Sequence, residues 1–306
     1  NPMVPDAFRD LLDRLTAANA DGLAMTGQVA PRAVGLILGL ECTLNPFLTN
    51  PVYREIADRP LAERVAALRD TTFRERLLSE AAERSRDKLG GNLIGRFDLL
   101  FEMGDEPDYE PSLDSSIAAV AARSERSPEE VALDAMLADD GHGLLYLPFL
   151  NYVDGNLDGC HEMLVHPHTV PGLSDGGAHV GTICDGSFPT TLLAYWGRDR
   201  DRDRIPLPFL VQRHCRDTAR TVGLFDRGVI APGYRADLNV VDFDRLRLHK
   251  PEIVHDLPAN GRRFIQRADG WRHTIVAGRE TYHDGIATDA LPGRLIRGAQ
   301  PTPNGA

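Results

Sequence analysis

The spacing of apolar residues predicts a helix at the start of the chain. Over residues 5–19 the apolar side chains recur every three or four positions, with Leu11 and Leu15 on one face, which is typical of an amphipathic helix. Gly22 is expected to end it. The short apolar run 23–25 then predicts a strand, and residues 27–32 a loop.

The middle of the chain alternates between helical and strand-like patterns. Residues 60–85 carry mixed charges on one face and predict a helix. Ser127 and Glu130 form a capping box ahead of a helix that runs to about residue 137. Further strands are predicted at 97–101, 144–147 and 170–174, and further helices at 158–165, 190–196 and 208–222.

The pattern changes after residue 222. Short strand-like segments at 238–243, 264–265 and 274–279 alternate with glycine turns, and residues 292–306 are expected to form an extended tail. This favours an α/β chain in which residues 1–222 belong to a β/α barrel and residues 223–306 to a small β domain.

Composition excludes several classes of function. The chain has 306 residues, is 42% hydrophobic and carries a formal net charge of -11. A nucleic-acid partner is disfavoured because phosphates require a basic face, and no apolar run is long enough to span a membrane. Four scattered cysteines form no disulfide framework, which indicates free thiols in a reducing compartment and a cytoplasmic location.

Asp175 is the first candidate for chemistry. It follows an apolar strand-like run, and Gly176 and Gly177 come directly after it. A carboxylate at the carboxyl end of a barrel strand can bind a metal and transfer a proton, and glycines let backbone approach a ligand. The alternative is an Asp that caps a turn, with glycines that only bend the chain.

Two nearby residues are candidates for substrate contact. His179 could orient a substrate, or it could be an ordinary polar loop residue. Arg32 could bind a substrate carboxylate, or it could form a surface ion pair. Cys184 has no recognisable partner base and is interpreted as a buried structural thiol, whereas Asp185 could contact substrate or hold its loop.

The remaining histidines are given structural interpretations. His166 and His168 form a His-x-His pair, but the intervening Pro167 is poorly tolerated in a central strand, so the segment is interpreted as a connector. His161, within a predicted helix, is interpreted as a packing or surface residue. His142 lies between two glycines and is interpreted as structural.

Three segments resemble the carboxy-terminal half of N-acyl-D-amino-acid deacylases, in the amidohydrolase superfamily. They read GLSDGGAHVGTICDGS, GLFDRGVIAPGYRADLNVVDFD and HTIVAGRETYHDG. The resemblance implies a metal-dependent (β/α)8 barrel with a flanking β-sandwich, of which this chain holds the later part. It also implies one or two Zn²⁺ ions that activate water, and it places Asp175 as metal ligand and proton shuttle, with His179 on the substrate side.

The resemblance also defines the alternatives. The early His-x-His and the middle-strand metal ligands of the family have no match here, so most zinc ligands are expected to be missing from this chain. We expect hydrolysis of a small N-acyl amino acid of the D configuration, and a homo-oligomer that covers exposed strand edges. The alternatives are a cyclic-amide hydrolase of the dihydroorotase or hydantoinase type and a non-catalytic remnant.

Overall fold

The computed structural model of the chain describes residues 4–80, 93–172 and 179–303. Helices and strands are mixed along the chain, which confirms the α/β class. None of the helices in these three ranges is long and apolar enough to cross a membrane.

The α-helices of the described residues all lie before residue 222. In chain order they are α1 Ala7–Ala20, α2 Pro51–Arg54, α3 Leu61–Arg69, α4 Thr71–Ser79, α5 Ile117–Ser124, α6 Pro128–Leu137, α7 Asp158–Val165, α8 Phe188–Ala194, α9 Leu207–Gln212 and α10 Thr218–Thr221. Single π-helical turns follow α8 (Tyr195–Asp199) and α9 (Arg213–Asp217).

Strands are short throughout and become dense near the carboxyl end. In chain order they are β1 Gly27–Val29, β2 Val34–Leu38, β3 Phe101–Met103, β4 Leu144–Leu150, β5 Thr169–Pro171, β6 Leu238–Val241, β7 Arg247–Leu248, β8 Glu252–Leu257, β9 Gly261–Ile265, β10 Ala268–Asp269, β11 Trp271–Val276, β12 Arg279–His283 and β13 Ile286–Ala287.

Helix predictions from capping and periodicity are confirmed, with one correction. The first helix, the capping-box helix α6 and the 158–165 helix α7 lie where expected. The single helix expected over 60–85 is wrong, because Asp70 is extended and its side chain accepts a hydrogen bond from the Phe73 backbone N–H. Asp70 therefore caps α4 as a separate helix.

The strand expected at 23–25 is also wrong. Gly22 has a φ of +84°, and the backbone N–H of Leu23 donates to Ala18 O at 2.9 Å. Asn19 Nδ2 binds the carbonyl of Met25 at 2.9 Å. The segment therefore closes the end of α1, and the strand begins two residues later, at Gly27.

The first five strands form one parallel pair and one antiparallel sheet. β1 and β5 pair in parallel, with Gln28 opposite Val170. β2, β4 and β3 form an antiparallel sheet, with β4 in the centre. Two helices, α5 and α6, lie between β3 and β4, whereas a parallel connection is usually made by a single return helix.

This antiparallel sheet corrects the expectation of consecutive parallel barrel strands. Neighbouring strands of a (β/α)8 barrel are parallel, and among the described residues β1 and β5 alone meet that condition. The complete barrel and its flanking sandwich stay predictions.

The carboxyl-terminal strands form three small antiparallel groups. β13, β12, β11 and β6 make a four-stranded sheet, β8 pairs with β9, and β7 pairs with β10. Phe264 of β9 is 6% exposed and packs in one cluster with Tyr109 and Tyr146. The division at residue 222 stays a prediction, since this cluster joins residues from both sides of it.

Candidate functional site

The parallel pair β1–β5 brings the carboxyl ends of two strands to one edge, and a predicted functional segment follows each of them in the sequence. Gly27 N donates to His168 O at 2.9 Å, and Gly172 N donates to Val29 O at 2.8 Å. Because the strands are parallel, their carboxyl ends meet at the same edge. Arg32 follows the end of β1 by three residues, and the segment containing Asp175 follows the end of β5.

Asp175 itself lies outside the described residues, as do its neighbours from Leu173 to Ala178. Its assignment as metal ligand and proton shuttle therefore stays a prediction. The structure describes the chain on either side of it, at Gly172 and from His179 onward.

Arg32 is not a surface residue. It is 1% exposed; its Nη1 donates to Thr191 Oγ1 at 3.1 Å, and its Nη2 to the Cys184 carbonyl at 2.8 Å. Its Nη2 lies 3.5 Å from Asp185 Oδ1. The interpretation as a surface ion pair is therefore wrong, because the guanidinium fastens the loop after β5 from inside the molecule.

Aromatic rings complete the surroundings of this guanidinium. The Arg32 side chain stacks 3.6 Å from the ring centre of Tyr109 and 4.7 Å from that of Phe188. A buried charge is costly unless it is paired and hydrogen-bonded. The rings, the carboxylate and the two oxygen acceptors offset that cost, although Nε of Arg32 has no hydrogen-bond partner among the described residues. Both Nη groups are thus engaged with protein atoms.

A second polar network adjoins the Arg32 site. Gln266 Nε2 donates to Tyr109 Oη at 2.8 Å and to the His249 carbonyl, also at 2.8 Å. Burial raises the pKa of the Tyr109 phenol, although Arg32 opposes that effect. The phenol therefore stays neutral at pH 7 and serves as a hydrogen-bonding group.

Cys184 has the properties of a structural thiol. Burial raises its pKa to about 11, against the opposing effect of Arg32. Since the thiolate is the reactive form, a thiol protonated at neutral pH is a poor nucleophile. This supports the interpretation drawn from the sequence.

His179 lies on an exposed turn where the described chain resumes. Its φ is +50°, and its carbonyl accepts hydrogen bonds from Thr182 N at 2.8 Å and Ile183 N at 2.9 Å. The backbone thus makes the turn, and the exposed side chain is open to solvent. Its role as a substrate contact stays a prediction.

The His166–His168 segment is a connector, as predicted. It lies between α7 and β5, and Arg213 donates to the carbonyls of His166 and Pro167 at 3.3 and 3.2 Å. His161 packs with its ring 5.9 Å from Trp196.

A cleft of about 380 Å³ opens beside the Arg32 site. It shares Tyr109 and Thr191 with that site, and Arg198 and Arg247 also line it. The donors of Arg198 bind Asp199 Oδ1 and the Leu246 carbonyl, each at 2.6 Å, whereas the Arg247 side chain is 59% exposed. The cleft is therefore large enough for a small molecule, and its exposed cation, Arg247, is paired through Nε with Asp269 Oδ2 at 2.8 Å.

Metal-binding chemistry is found elsewhere in the described part of the chain. In the described ranges 4–80, 93–172 and 179–303, one group of three or more potential ligands has all its binding atoms within 4.8 Å of one another. It consists of His273, Glu280 and His283. They belong to β11 and β12, not to the β1–β5 edge. The described residues at that edge therefore do not form a ligand set for the zinc that the resemblance implies.

This histidine group was not recognised in the sequence. Residues 274–279 were predicted as a strand, but the pairing that brings His273 to His283 depends on strand register. The one feature of the sequence that could have indicated this group is the pair His273 and His283, which are ten residues apart with Gly278 between them.

The comparisons with known proteins indicate one family. The model described as "Amidohydrolase family" matches residues 6–282. The chain is similar to a 5-methylthioadenosine/S-adenosylhomocysteine deaminase of Desulfitobacterium hafniense, with 35% identity over 86 residues, covering 25% of this chain and 20% of the deaminase.

Solved structures of D-aminoacylase also match. One, described as defining a novel subset of amidohydrolases, is 21% identical with a TM-score of 0.35, covering 62% of this chain and 36% of its own. Another, concerned with the binuclear metal center of D-aminoacylase, is 22% identical with the same TM-score and the same coverages. The chain thus spans about a third of these D-aminoacylase chains and a fifth of the deaminase.

Proposed function

The chain belongs to the amidohydrolase family, and from that premise we propose that it hydrolyses the amide bond of an N-acyl amino acid. The finer assignment rests on the GLSDGGAHV segment, which resembles the deacylases that act on N-acyl-D-amino acids. The family match over residues 6–282 supports hydrolytic chemistry.

One observation carries the proposal. β1 and β5 are parallel neighbours, and Asp175 comes four residues after Pro171, the last residue of β5. Catalytic residues of barrel enzymes come from the carboxyl ends of the strands. In this account the reacting amide binds at that edge, over the Arg32 site.

The proposed reaction assigns Asp175 the proton transfers. Its carboxylate accepts a proton from water while the water oxygen attacks the amide carbon. The carboxylic acid then returns that proton to the amide nitrogen, and the C–N bond breaks. The products are a carboxylic acid and a free amino acid, so one water is consumed and Asp175 is regenerated.

Asp175 is also the residue that we assign to zinc. Catalytic zinc usually has three protein ligands and an open position, and the described residues at this edge do not supply the others. The proton transfers above are therefore derived without the ion.

The neighbouring residues have distinct roles in the proposal. Arg32 joins the loop that carries Cys184 and Asp185 to helix α8, since its Nη donors bind the Cys184 carbonyl and Thr191 Oγ1. His179, exposed four residues after Asp175, contacts the substrate. Arg247, exposed at the cleft and already paired through Nε with Asp269, offers its guanidinium to the substrate carboxylate.

A substrate panel tests the proposal. The chain, prepared with Zn²⁺, is incubated with N-acetyl-D- and N-acetyl-L-amino acids, dihydroorotate, hydantoin and 5-methylthioadenosine. We expect free amino acid from the N-acetyl compounds, with the D isomers preferred. Ring opening would favour the cyclic-amide alternative, and ammonia from 5-methylthioadenosine would favour deamination, the activity named for the curated relative. No reaction with any compound would support a non-catalytic chain.

A further inference from the structure

Three potential metal ligands meet on the carboxyl-terminal sheet. His273 of β11 and His283 of β12 are register partners in an antiparallel pair, and their ring centres are 4.8 Å apart. Opposite residues of such a pair project from the same face of the sheet. The two imidazoles are therefore held side by side by the backbone.

A β-bulge adds the third ligand. Thr274 pairs with Tyr282, but the next residue, Ile275, pairs with Glu280, so Thr281 is an extra residue in β12. In a regular strand, residues three apart lie on opposite faces. The extra residue reverses that alternation and brings Glu280 to the face of His283.

The ligand atoms are already close together. Glu280 Oε1 lies 2.6 Å from His273 Nδ1 and 2.9 Å from His283 Nδ1. The three side chains are 38%, 39% and 58% exposed, in the order His273, Glu280, His283. An ion from solvent can therefore reach them without opening the core.

A neighbouring carboxylate supports the same arrangement. Asp284 Oδ2 lies 3.5 Å from Nε2 of His283, the nitrogen that faces away from Glu280. Asp284 is itself held by Arg272, whose Nη1 donates to Oδ1 at 3.0 Å. Metal-binding histidines commonly give their other N–H to such a carboxylate, which fixes the tautomer and the ring.

We propose that Nδ1 of His273, Nδ1 of His283 and the Glu280 carboxylate bind one divalent transition-metal ion of the zinc and copper class. Two imidazoles and a carboxylate suit these ions, and water completes the coordination. Zinc bonds to nitrogen and oxygen of about 2.0–2.2 Å separate tetrahedral ligand atoms by about 3.3 Å, so the Glu280 oxygen, now 2.6 and 2.9 Å from the two nitrogens, moves outward by less than an ångström. The ion cross-links β11 and β12, independently of Asp175 and of the proposed reaction.

The test measures zinc binding directly. The dialysed chain and its variants are titrated with Zn²⁺ against a chromogenic chelator, and bound zinc is counted by elemental mass spectrometry. The variant His273→Ala/His283→Ala is expected to bind one ion fewer than the parent, and Glu280→Gln at least about tenfold more weakly at this site. His255→Ala, which removes another exposed histidine from β8, is the matched control and is expected to bind as the parent does.

A second variant separates this site from the catalytic one. Asp175→Asn is expected to keep the zinc that depends on His273 and His283, and the double histidine variant is expected to keep the parent's activity. Zinc should also raise the melting temperature of Asp175→Asn but not of Asp175→Asn combined with both histidine changes. Equal zinc stoichiometry and affinity in the parent and the double histidine variant would overturn the proposal and leave the proposed reaction untouched.

Discussion

At the scale of single residues, burial decides which charged groups serve structure. Arg32 is buried with Asp185, their side chains 2% and 4% exposed, and its donors hold Thr191 and the Cys184 carbonyl. The sequence offered an arginine in a loop, which is compatible with either a substrate clamp or a surface pair. Only the packing of distant segments, more than 150 residues apart, shows that the guanidinium is inside.

Replacing Arg32 with Met is therefore expected to destabilise the protein strongly. The change leaves Asp185 without its buried cationic partner, and breaking such a pair costs about 3–5 kcal/mol. Urea unfolding followed by circular dichroism measures the loss. Arg59→Met, at an exposed position, is the control and should change stability by no more than about 0.5 kcal/mol. A similar small change for Arg32→Met would contradict the structural role.

At the scale of elements, the sequence predicted correctly those features that depend on hydrogen bonds between residues a few positions apart. The capping box of α6 is present in full: Glu130 N donates to Ser127 Oγ at 3.2 Å, and Ser127 N donates to Glu130 Oε2 at 2.8 Å. The strand expected at 97–101 begins only at Phe101, because the carbonyls of Phe97 and Leu100 accept hydrogen bonds from the first residues of α5. A run of apolar residues does not by itself show whether its backbone groups form hydrogen bonds with a neighbouring strand or with a helix end.

The cap of α6 gives a prediction at this scale. Ser127→Ala removes the acceptor for Glu130 N and is expected to lower the free energy of unfolding by about 1 kcal/mol. Ser124→Ala is the matched control, since the Ser124 hydroxyl donates only to carbonyls of α5. Urea midpoints at constant slope compare the two, and an equal effect of both changes would refute a specific cap.

At the scale of the whole molecule, ion pairs join segments that are far apart in sequence. Arg200 is 1% exposed and binds Glu110 at 3.0 Å as well as Asp158 at the start of α7. Burial opposes ionisation of Glu110, but hydrogen bonds from Arg200, Tyr195 and the Leu157 backbone outweigh it and hold the pKa of Glu110 below its usual value. The charged form of Glu110 therefore stabilises the fold.

This linkage sets a pH dependence. Because the pKa of Glu110 is lower in the folded state, its contribution is present above the unfolded pKa of about 4.3 and is lost as pH falls through the folded value. Glu110→Gln should therefore lose less stability than the parent between about pH 5 and pH 3, by about 1.4 kcal/mol for each unit of pKa shift. Thermal unfolding at several pH values in this range measures the loss of stability of each protein. Glu102→Gln, on the exposed face of β3, is the control. Parallel curves for the parent and Glu110→Gln would contradict the linkage.

The parts of the candidate site that could be predicted are those that depend on residues close together in the sequence. The three segments quoted above predicted an amidohydrolase, which the family match over residues 6–282 confirms, and Pro167 correctly indicated that His166 and His168 lie in a connector. The group of His273, Glu280 and His283 depends on strand register and on the bulge at Thr281. Neither can be predicted from the spacing of residues along the chain.

The most direct test of the account compares the parent with Asp175→Asn on an N-acetyl-D-amino acid. The release of free amino acid is measured at equal protein concentrations, with unfolding curves as a check on the fold. We expect turnover by the parent and a rate at least about 100-fold lower in the variant, since it lacks the proton acceptor, with little change in stability. Equal turnover in both proteins would contradict the assignment of Asp175 and, with it, the proposed mechanism.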